Sequence, residues 1–191
     1  MTTADAPPTS PRRATQLLSR SLAVCLFAAL HAHAAYAQST ASEDVIETAQ
    51  TPAGELSVVR RRAPDDAVTI VVKLGEKVLA EKEGGYRTAG IHGTYPARAP
   101  RYALIELTEG GLTCASKFAI VDLSREGAAR VTEDFGNCGV PRAAYRGGTL
   151  TVTFPAGPRK HDPGSYYVGP GQVWSYGAGR LRLVRGRRSR I

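Results

Sequence analysis

The stretch that decides the fold is residues 114–138, CASKFAIVDLSREGAARVTEDFGNC, which begins and ends with a cysteine. A turn signal at 124–127, Ser-Arg-Glu-Gly, divides it into two strand-like segments. In an antiparallel hairpin built on that turn, Cys114 and Cys138 lie opposite each other to within one residue, a difference that a β-bulge absorbs. The stretch therefore predicts a hairpin that is stapled by a disulfide.

Residues 1–37 have the three-part layout of a secretory signal peptide. Arginines precede the apolar run Ser21–Leu30, and Ala-Tyr-Ala at 35–37 fits the small-x-small cleavage pattern. The apolar run is too short for a permanent anchor, and no later stretch is long and apolar enough to cross a membrane. We therefore expect an exported protein, periplasmic or secreted, with no transmembrane span.

Cleavage after residue 37 leaves 154 of the 191 residues, which is enough for one domain with its own core. The mature chain keeps two cysteines, and an even number in an exported protein favours a disulfide over a metal or redox site. The formal net charge of +8 is unevenly distributed, because residues 38–179 are neutral and residues 180–191 contain six arginines and no acid. This distribution excludes a uniformly basic, nucleic-acid-binding domain.

The mature chain is predicted to be all-β, a single antiparallel sheet or sandwich-like domain of consecutive hairpins. Period-two alternation is clearest at 68–74 and 149–154, and Gly75-Glu76 suits a type II′ hairpin turn. In the last hairpin, Arg180 and Arg182 are expected to point outward. Along the chain we expect a flexible lead-in at 38–54, the β domain at 55–184 and a basic tail at 185–191.

A short internal similarity links segments 145–152 and 176–183, which share tyrosine, glycine and leucine at equivalent positions. Two copies are too few for a repeat architecture. The similarity indicates shared hairpin chemistry.

Two long segments that are rich in glycine, proline and tyrosine, 83–100 and 157–171, are predicted to be irregular loops. If these loops meet, their aromatic and basic side chains form a surface that suits a protein or a glycan. The alternative is that the tyrosines half-bury at the rim of the sheet. The residues of this candidate surface are Tyr86, Arg87, His92, Tyr95, His161, Tyr166, Tyr167 and Trp174.

The run Glu109–Cys138 contains Gly-Gly-Leu-Thr-Cys at 110–114 and Phe-Gly-Asn-Cys at 135–138. It resembles small exported bacterial β proteins that carry a Gly-Gly-x-x-Cys … Phe-Gly-x-Cys signature. The resemblance implies export and a disulfide-stapled hairpin, and it supplies no activity, ligand or catalytic residue.

Catalytic motifs are missing from the sequence. There is no Gly-x-Ser-x-Gly elbow, no His-Glu-x-x-His, no EF-hand and no phosphate-cradling glycine motif, so we predict no catalytic residue, metal site or cofactor. The alternative is a small hydrolase in which His92 or His161 works with an acid. The acids considered for that role are Asp162, Glu106 and Asp134.

The basic tail offers a further function, which is attachment to an anionic surface. Its arginines are Arg185, Arg187, Arg188 and Arg190. Against this stands the chain's general use of arginine, since a sequence that prefers arginine throughout also places it in a solvated terminus. We therefore expect a non-enzymatic, envelope-associated binding module for a protein or glycan, with weak anionic contacts through the tail and no nucleic-acid partner.

Overall fold

The computed structural model describes residues 42–83, 85–110, 114, 116–125, 127–157 and 169–186. This part of the chain contains twelve strands and no helix, so no helix within it spans a membrane. The strands are β1 (Ser42–Thr51), β2 (Gly54–Arg62), β3 (Val68–Leu74), β4 (Lys77–Lys82), β5 (Thr88–Tyr95), β6 (Tyr102–Thr108), β7 (Lys117–Asp122), β8 (Arg130–Val131), β9 (Arg142–Arg146), β10 (Thr149–Phe154), β11 (Gln172–Gly177) and β12 (Arg180–Arg185).

The strands form three antiparallel sheets of four strands each. Sheet A has the order β1-β2-β3-β4, sheet B the order β5-β6-β7-β8 and sheet C the order β12-β11-β10-β9. Every neighbouring pair is antiparallel, and strands that are adjacent in each sheet are also consecutive in the chain. The all-β, hairpin-by-hairpin prediction is confirmed.

Sheet B is the middle layer, because it contributes to two separate cores. Ala103, Ile105 and Leu107 of β6 pack with residues of sheet A, whereas Tyr102 and Leu104 pack with residues of sheet C. A strand that is buried on both faces does not alternate between apolar and polar residues, because neither face contacts water. This explains the nearly continuous apolar sequence of β6.

The disulfide hairpin is built from β7 and β8. Cys114 and Cys138 form the S–S bond, and near the turn Asp122 pairs with Arg130, which sets the register of the hairpin there. Further along, Phe118 pairs with Phe135, one residue out of that register, so the second arm contains a bulge. The predicted staple is confirmed, but the bulge shortens the expected second strand to two residues.

Two segments that we expected to be irregular are strands. Ser42–Thr51, inside the predicted flexible lead-in, forms β1 and pairs with β2 along its whole length. Thr88–Tyr95, inside the first predicted loop, forms β5. Both are edge strands with a bulge, at Ile46 and at His92, and edge strands lack the strict apolar alternation that sequence analysis detects.

Sheet C ends in two hairpin turns of the same kind. Gly147 and Gly148 join β9 to β10, and Ala178 and Gly179 join β11 to β12. All four residues have positive φ, as a type I′ turn requires. The two similar segments of the sequence are therefore equivalent hairpins, which places both turns at the same end of sheet C.

Candidate functional site: the outer face of sheet C

Two aromatic residues of the predicted binding surface, Tyr86 and Trp174, lie in different cores. Tyr86 is 7% exposed and packs between sheets A and B, whereas Trp174 is 4% exposed and packs between sheets B and C. The Tyr86 hydroxyl donates a 2.7 Å hydrogen bond to Asp134 Oδ2, and Trp174 Nε1 donates to Gln172. Neither ring is available at the surface to hold a partner.

The other predicted residues divide into three groups. Arg87 is exposed and borders an open concavity of ≈ 630 Å³ together with Tyr86, Glu83 and Glu109. His92 and Tyr95 lie on β5 and are half-buried. The remaining residues lie outside the described part of the chain: His161, Tyr166, Tyr167, Arg187, Arg188 and Arg190.

His92 lies beside one of the acids that we considered for hydrolysis. Its Nδ1 atom is 3.6 Å from Glu106 Oε2, and Ser116 Oγ donates a hydrogen bond to the other oxygen of the same carboxylate. The acid therefore stands between the histidine and the serine. In a hydrolytic triad the histidine instead stands between the acid and the serine, so that it can take the proton of the nucleophile. This arrangement does not activate Ser116.

The other acid of that hypothesis, Asp134, is held by two different groups. Lys82 Nζ lies 2.5 Å from Asp134 Oδ1, and the Tyr86 hydroxyl donates to Oδ2. Burial, followed by the hydrogen bond to Asp134, raises the pKa of Tyr86. The cluster joins the end of β4 to the segment after β8 and is a structural link between sheets A and B. Among the residues that the structure describes, no three His, Cys, Asp or Glu side chains converge on a common point.

Charge is distributed very unevenly among the three sheets. The strands of sheet A contain six basic and five acidic residues, and those of sheet B contain two of each. The strands of sheet C contain five arginines and no acid. The excess positive charge of the described strands is therefore concentrated on one outer layer.

The basic side chains on the outer face of sheet A, Arg61 and Lys73, are paired with acidic neighbours. Arg61 bridges Glu43 and Glu81 at 2.9 and 2.8 Å, and Lys73 reaches Glu43 at 2.6 Å. Hydrogen bonds from Lys73 and then Arg61 lower the pKa of Glu43. Val71, which pairs with Glu81 on the next strand, faces the same side and is fully buried. The outer face of sheet A is a closed network of charges.

Sheet C has no such network. The apolar residues of its four strands face sheet B, so alternation sends Arg142, Arg146, Arg180 and Arg182 to the outside. A bulge at Val184 sets Arg185 opposite Val173, which also faces outward. No carboxylate of the described residues forms an ion pair with any of these arginines. We call this surface the arginine face; its arginines are Arg142, Arg146, Arg180, Arg182 and Arg185.

The arginine face is ordered in rows across the sheet. In one row Thr151 pairs with Ala144 and with Ser175, and Ser175 pairs with Arg182. In the next row Thr153 pairs with Arg142. Rows repeat roughly every 7 Å, and the two edge strands are roughly 14 Å apart. Arginines thus line both edges, and short side chains, mostly hydroxyls, occupy the centre.

At the turn end the face contains a groove of ≈ 520 Å³. We call it the turn groove; it is lined by Gly147, Gly148, Thr149, Ser175, Gly177, Ala178, Arg180 and Arg182. Its floor consists of glycine and small hydroxyl residues, and its wall on β12 consists of two guanidinium groups.

Buried polar contacts beneath the face support both turns. Tyr176 donates to Asp122 Oδ2 at 2.8 Å, and Tyr102 donates to the carbonyl of Gly148 at 3.0 Å. Burial and the bond to Asp122 raise the pKa of Tyr176 to about 12. Burial alone would raise the pKa of Asp122, but hydrogen bonds from Ser124 and Tyr176 outweigh it and lower that pKa. The turns are therefore anchored to sheet B.

No protein-family model, curated protein or solved structure matches the chain. The function is therefore inferred from the geometry of the molecule itself.

Arg180 and Arg182 are exposed on β12, as the sequence predicts, whereas Arg185, predicted to belong to the basic tail, is the last residue of β12. Arg142 and Arg146 were not among the predicted site residues. A signal for them exists, because residues 139–191 contain ten basic residues and a single acid, Asp162. The net charge of residues 38–179 is zero because acids in other parts of that range balance the arginines of β9, so the local excess of positive charge is not visible in that sum.

Proposed function

We propose that the protein is an exported, non-enzymatic binding module that holds an anionic polymer on the arginine face. The observation that carries the proposal is the set of five outward arginines on a sheet without acids. The guanidinium group is always charged and pairs with carboxylate, sulfate or phosphate in a two-pronged geometry. The buried disulfide supports export, because such bonds persist in oxidising compartments.

Unpaired charge of one sign attracts an oppositely charged polymer over a distance comparable to the width of the sheet. A single exposed ion pair contributes about 0.2–1 kcal/mol. Several of them, spaced along both edges, together hold an extended chain that touches many points at once. A flat array of arginines is therefore suited to a polymer more than to a small anion.

Protection of sheet edges does not by itself explain the arginines. Edge strands commonly carry charge, which prevents further strands from pairing. Either sign achieves this, and the edge strand β1 carries the acids Glu43, Asp44 and Glu47. The exclusive use of arginine on both edges of sheet C indicates a requirement for positive charge.

The proposal is tested by measuring the affinity of the mature chain for dextran sulfate at low ionic strength. Changing Arg142, Arg146, Arg180 and Arg182 to Gln is expected to weaken binding roughly tenfold or more. The matched control changes the exposed arginines Arg87, Arg98, Arg101 and Arg125 to Gln, which lowers the net charge by the same amount.

The control is expected to retain most of the affinity, because its arginines lie outside sheet C. Equal losses in both variants would show that net charge alone drives the association. Absence of dextran sulfate binding by the wild-type chain would refute an anion-binding function altogether. Thermal unfolding of each variant verifies that the fold is intact.

A further inference from the structure

We propose that the turn groove is a subsite for one anionic sugar unit, so that the polymer held by the arginine face is an acidic polysaccharide. This inference rests on the proposed function and adds the ligand's chemistry. The groove's volume of ≈ 520 Å³ lies within the range of about 300–1,000 Å³ that is typical of small-ligand sites.

The groove offers two kinds of group at once. Arg180 and Arg182 are exposed on one side, and they suit the uronate or sulfate of an acidic sugar. Thr149 and Ser175 lie on its floor, and their hydroxyls form no side-chain hydrogen bond with any described residue. Hydroxyls both donate and accept, so they match the hydroxyls of a sugar ring.

Gly177 keeps the floor of the groove open. Its φ is not positive, so the backbone does not require glycine at this position. A Cβ here would lie 3.1 Å from Thr149 Oγ1 and would project into the groove. Glycine inside a strand is unfavourable by itself and often marks a place where another molecule approaches the backbone closely. We infer that Gly177 leaves room for the ligand.

Nucleic acid and lipid bilayers fit this face less well. Proteins that bind single-stranded nucleic acid stack bases on aromatic side chains, and the aromatic residues of sheet C all face sheet B. Surface attachment to a bilayer uses apolar side chains that insert below the head groups. On sheet C, Val184 is the one large hydrophobic residue that is strongly exposed among the described residues. A polar, hydroxyl-lined face favours a polysaccharide.

The inference is tested with three polymers of matched charge: polygalacturonate, dextran sulfate and inorganic polyphosphate. The double variant Ser175→Ala/Thr149→Val removes both hydroxyls and keeps every arginine. We expect it to bind the two polysaccharides about fivefold more weakly than wild type does, and to bind polyphosphate equally well. Gly177→Ala, which fills the groove, is expected to show the same selective loss.

The control is Thr88→Val, which removes an exposed hydroxyl from β5, outside sheet C, and should change none of the three affinities. Equal affinities of wild type and the groove variants for the polysaccharides would overturn the subsite, while the proposed anion-binding function would stand. The subsite would also be overturned if vesicles of phosphatidylglycerol or a single-stranded oligonucleotide bound more tightly than the polysaccharides. A wild-type chain that bound none of the polymers would refute the proposed function itself.

Discussion

Tyr176 of β11 donates a 2.8 Å hydrogen bond to Asp122 of β7, and both residues are at most 2% exposed. The bond joins the middle sheet to the sheet that carries the arginine face. The Tyr176 ring also packs edge-on against Tyr102, whose own hydroxyl holds the β9–β10 turn. The position of the turn groove therefore depends on this contact.

Tyr176→Phe removes the hydroxyl and leaves the ring in place. We expect the free energy of unfolding to fall by about 1.5–3 kcal/mol, because a buried carboxylate loses a donor. Denaturant titration measures the change. The control is Tyr145→Phe, in the same aromatic cluster, where no side-chain hydrogen bond to a described residue is lost and the change should stay below about 0.5 kcal/mol. Equal effects of the two substitutions would show that the Tyr176–Asp122 bond contributes nothing specific.

Alkaline pH provides a second test of the same contact. A tyrosine ionises near pH 10 in an unfolded chain, whereas the pKa of Tyr176 in the folded protein is raised to about 12. Because the folded state holds this proton more tightly, its contribution to stability is complete below about pH 10 and is lost as the pH rises to about 12. Unfolding measured between these limits should show a steeper loss for wild type than for Tyr176→Phe. Parallel curves would contradict the raised pKa.

Asp134 is the centre of a second polar contact, which connects sheets A and B. Asp134→Ala leaves Lys82, whose side chain is 14% exposed, without its ion-pair partner and removes the acceptor of the Tyr86 hydroxyl. The expected cost is about 1.5–3 kcal/mol of unfolding free energy. Arg62→Ala breaks an exposed ion pair with Asp66, and we expect it to change stability by less than about 0.5 kcal/mol. Chemical denaturation measures the loss of unfolding free energy in each variant. Equal losses in Asp134→Ala and Arg62→Ala would show that the Asp134 cluster is as solvated as the surface ion pair and would contradict the prediction.

Reduction of the Cys114–Cys138 bond should loosen the domain without removing any group of the arginine face. The two cysteines are 24 residues apart, and closing a loop of that length stabilises a protein by about 3 kcal/mol. The double variant Cys114→Ser/Cys138→Ser should therefore unfold at a lower denaturant concentration and still bind dextran sulfate under native conditions. Loss of binding by a variant that remains folded would place the disulfide within the binding machinery.

The sequence predicts those elements whose local pattern is strong. The alternation of β3 and β10, the turn at Gly75-Glu76 between β3 and β4, and the pairing of the two cysteines all follow from local properties of short segments. β1 escapes prediction because most of its residues are exposed, and it is held by cross-strand pairs such as Glu43–Arg61. β5 escapes because glycines and a bulge interrupt it. The stacking of three sheets is invisible locally, although the continuous burial of β6 hints at a middle layer.

The arginine face is harder to predict, because it depends on topology. Arg142 and Arg182 are 40 positions apart in the chain and meet on one surface only because β9 and β12 enclose β10 and β11. The predicted surface instead consisted mainly of aromatic residues; of those that the structure describes, Tyr86 and Trp174 are buried in different cores and Tyr95 is half-buried on β5. Aromatic side chains suit cores and binding surfaces alike, so composition alone does not distinguish the two roles.

The central claim is that an anionic polymer lies on sheet C. It is tested most directly by modifying arginines with phenylglyoxal, with and without bound dextran sulfate, and quantifying each site by mass spectrometry. We predict that the polymer protects Arg142, Arg146, Arg180, Arg182 and Arg185 and leaves the exposed Arg87, Arg98 and Arg125 as reactive as before. Uniform protection of all exposed arginines, or protection of those outside sheet C alone, would contradict the claim.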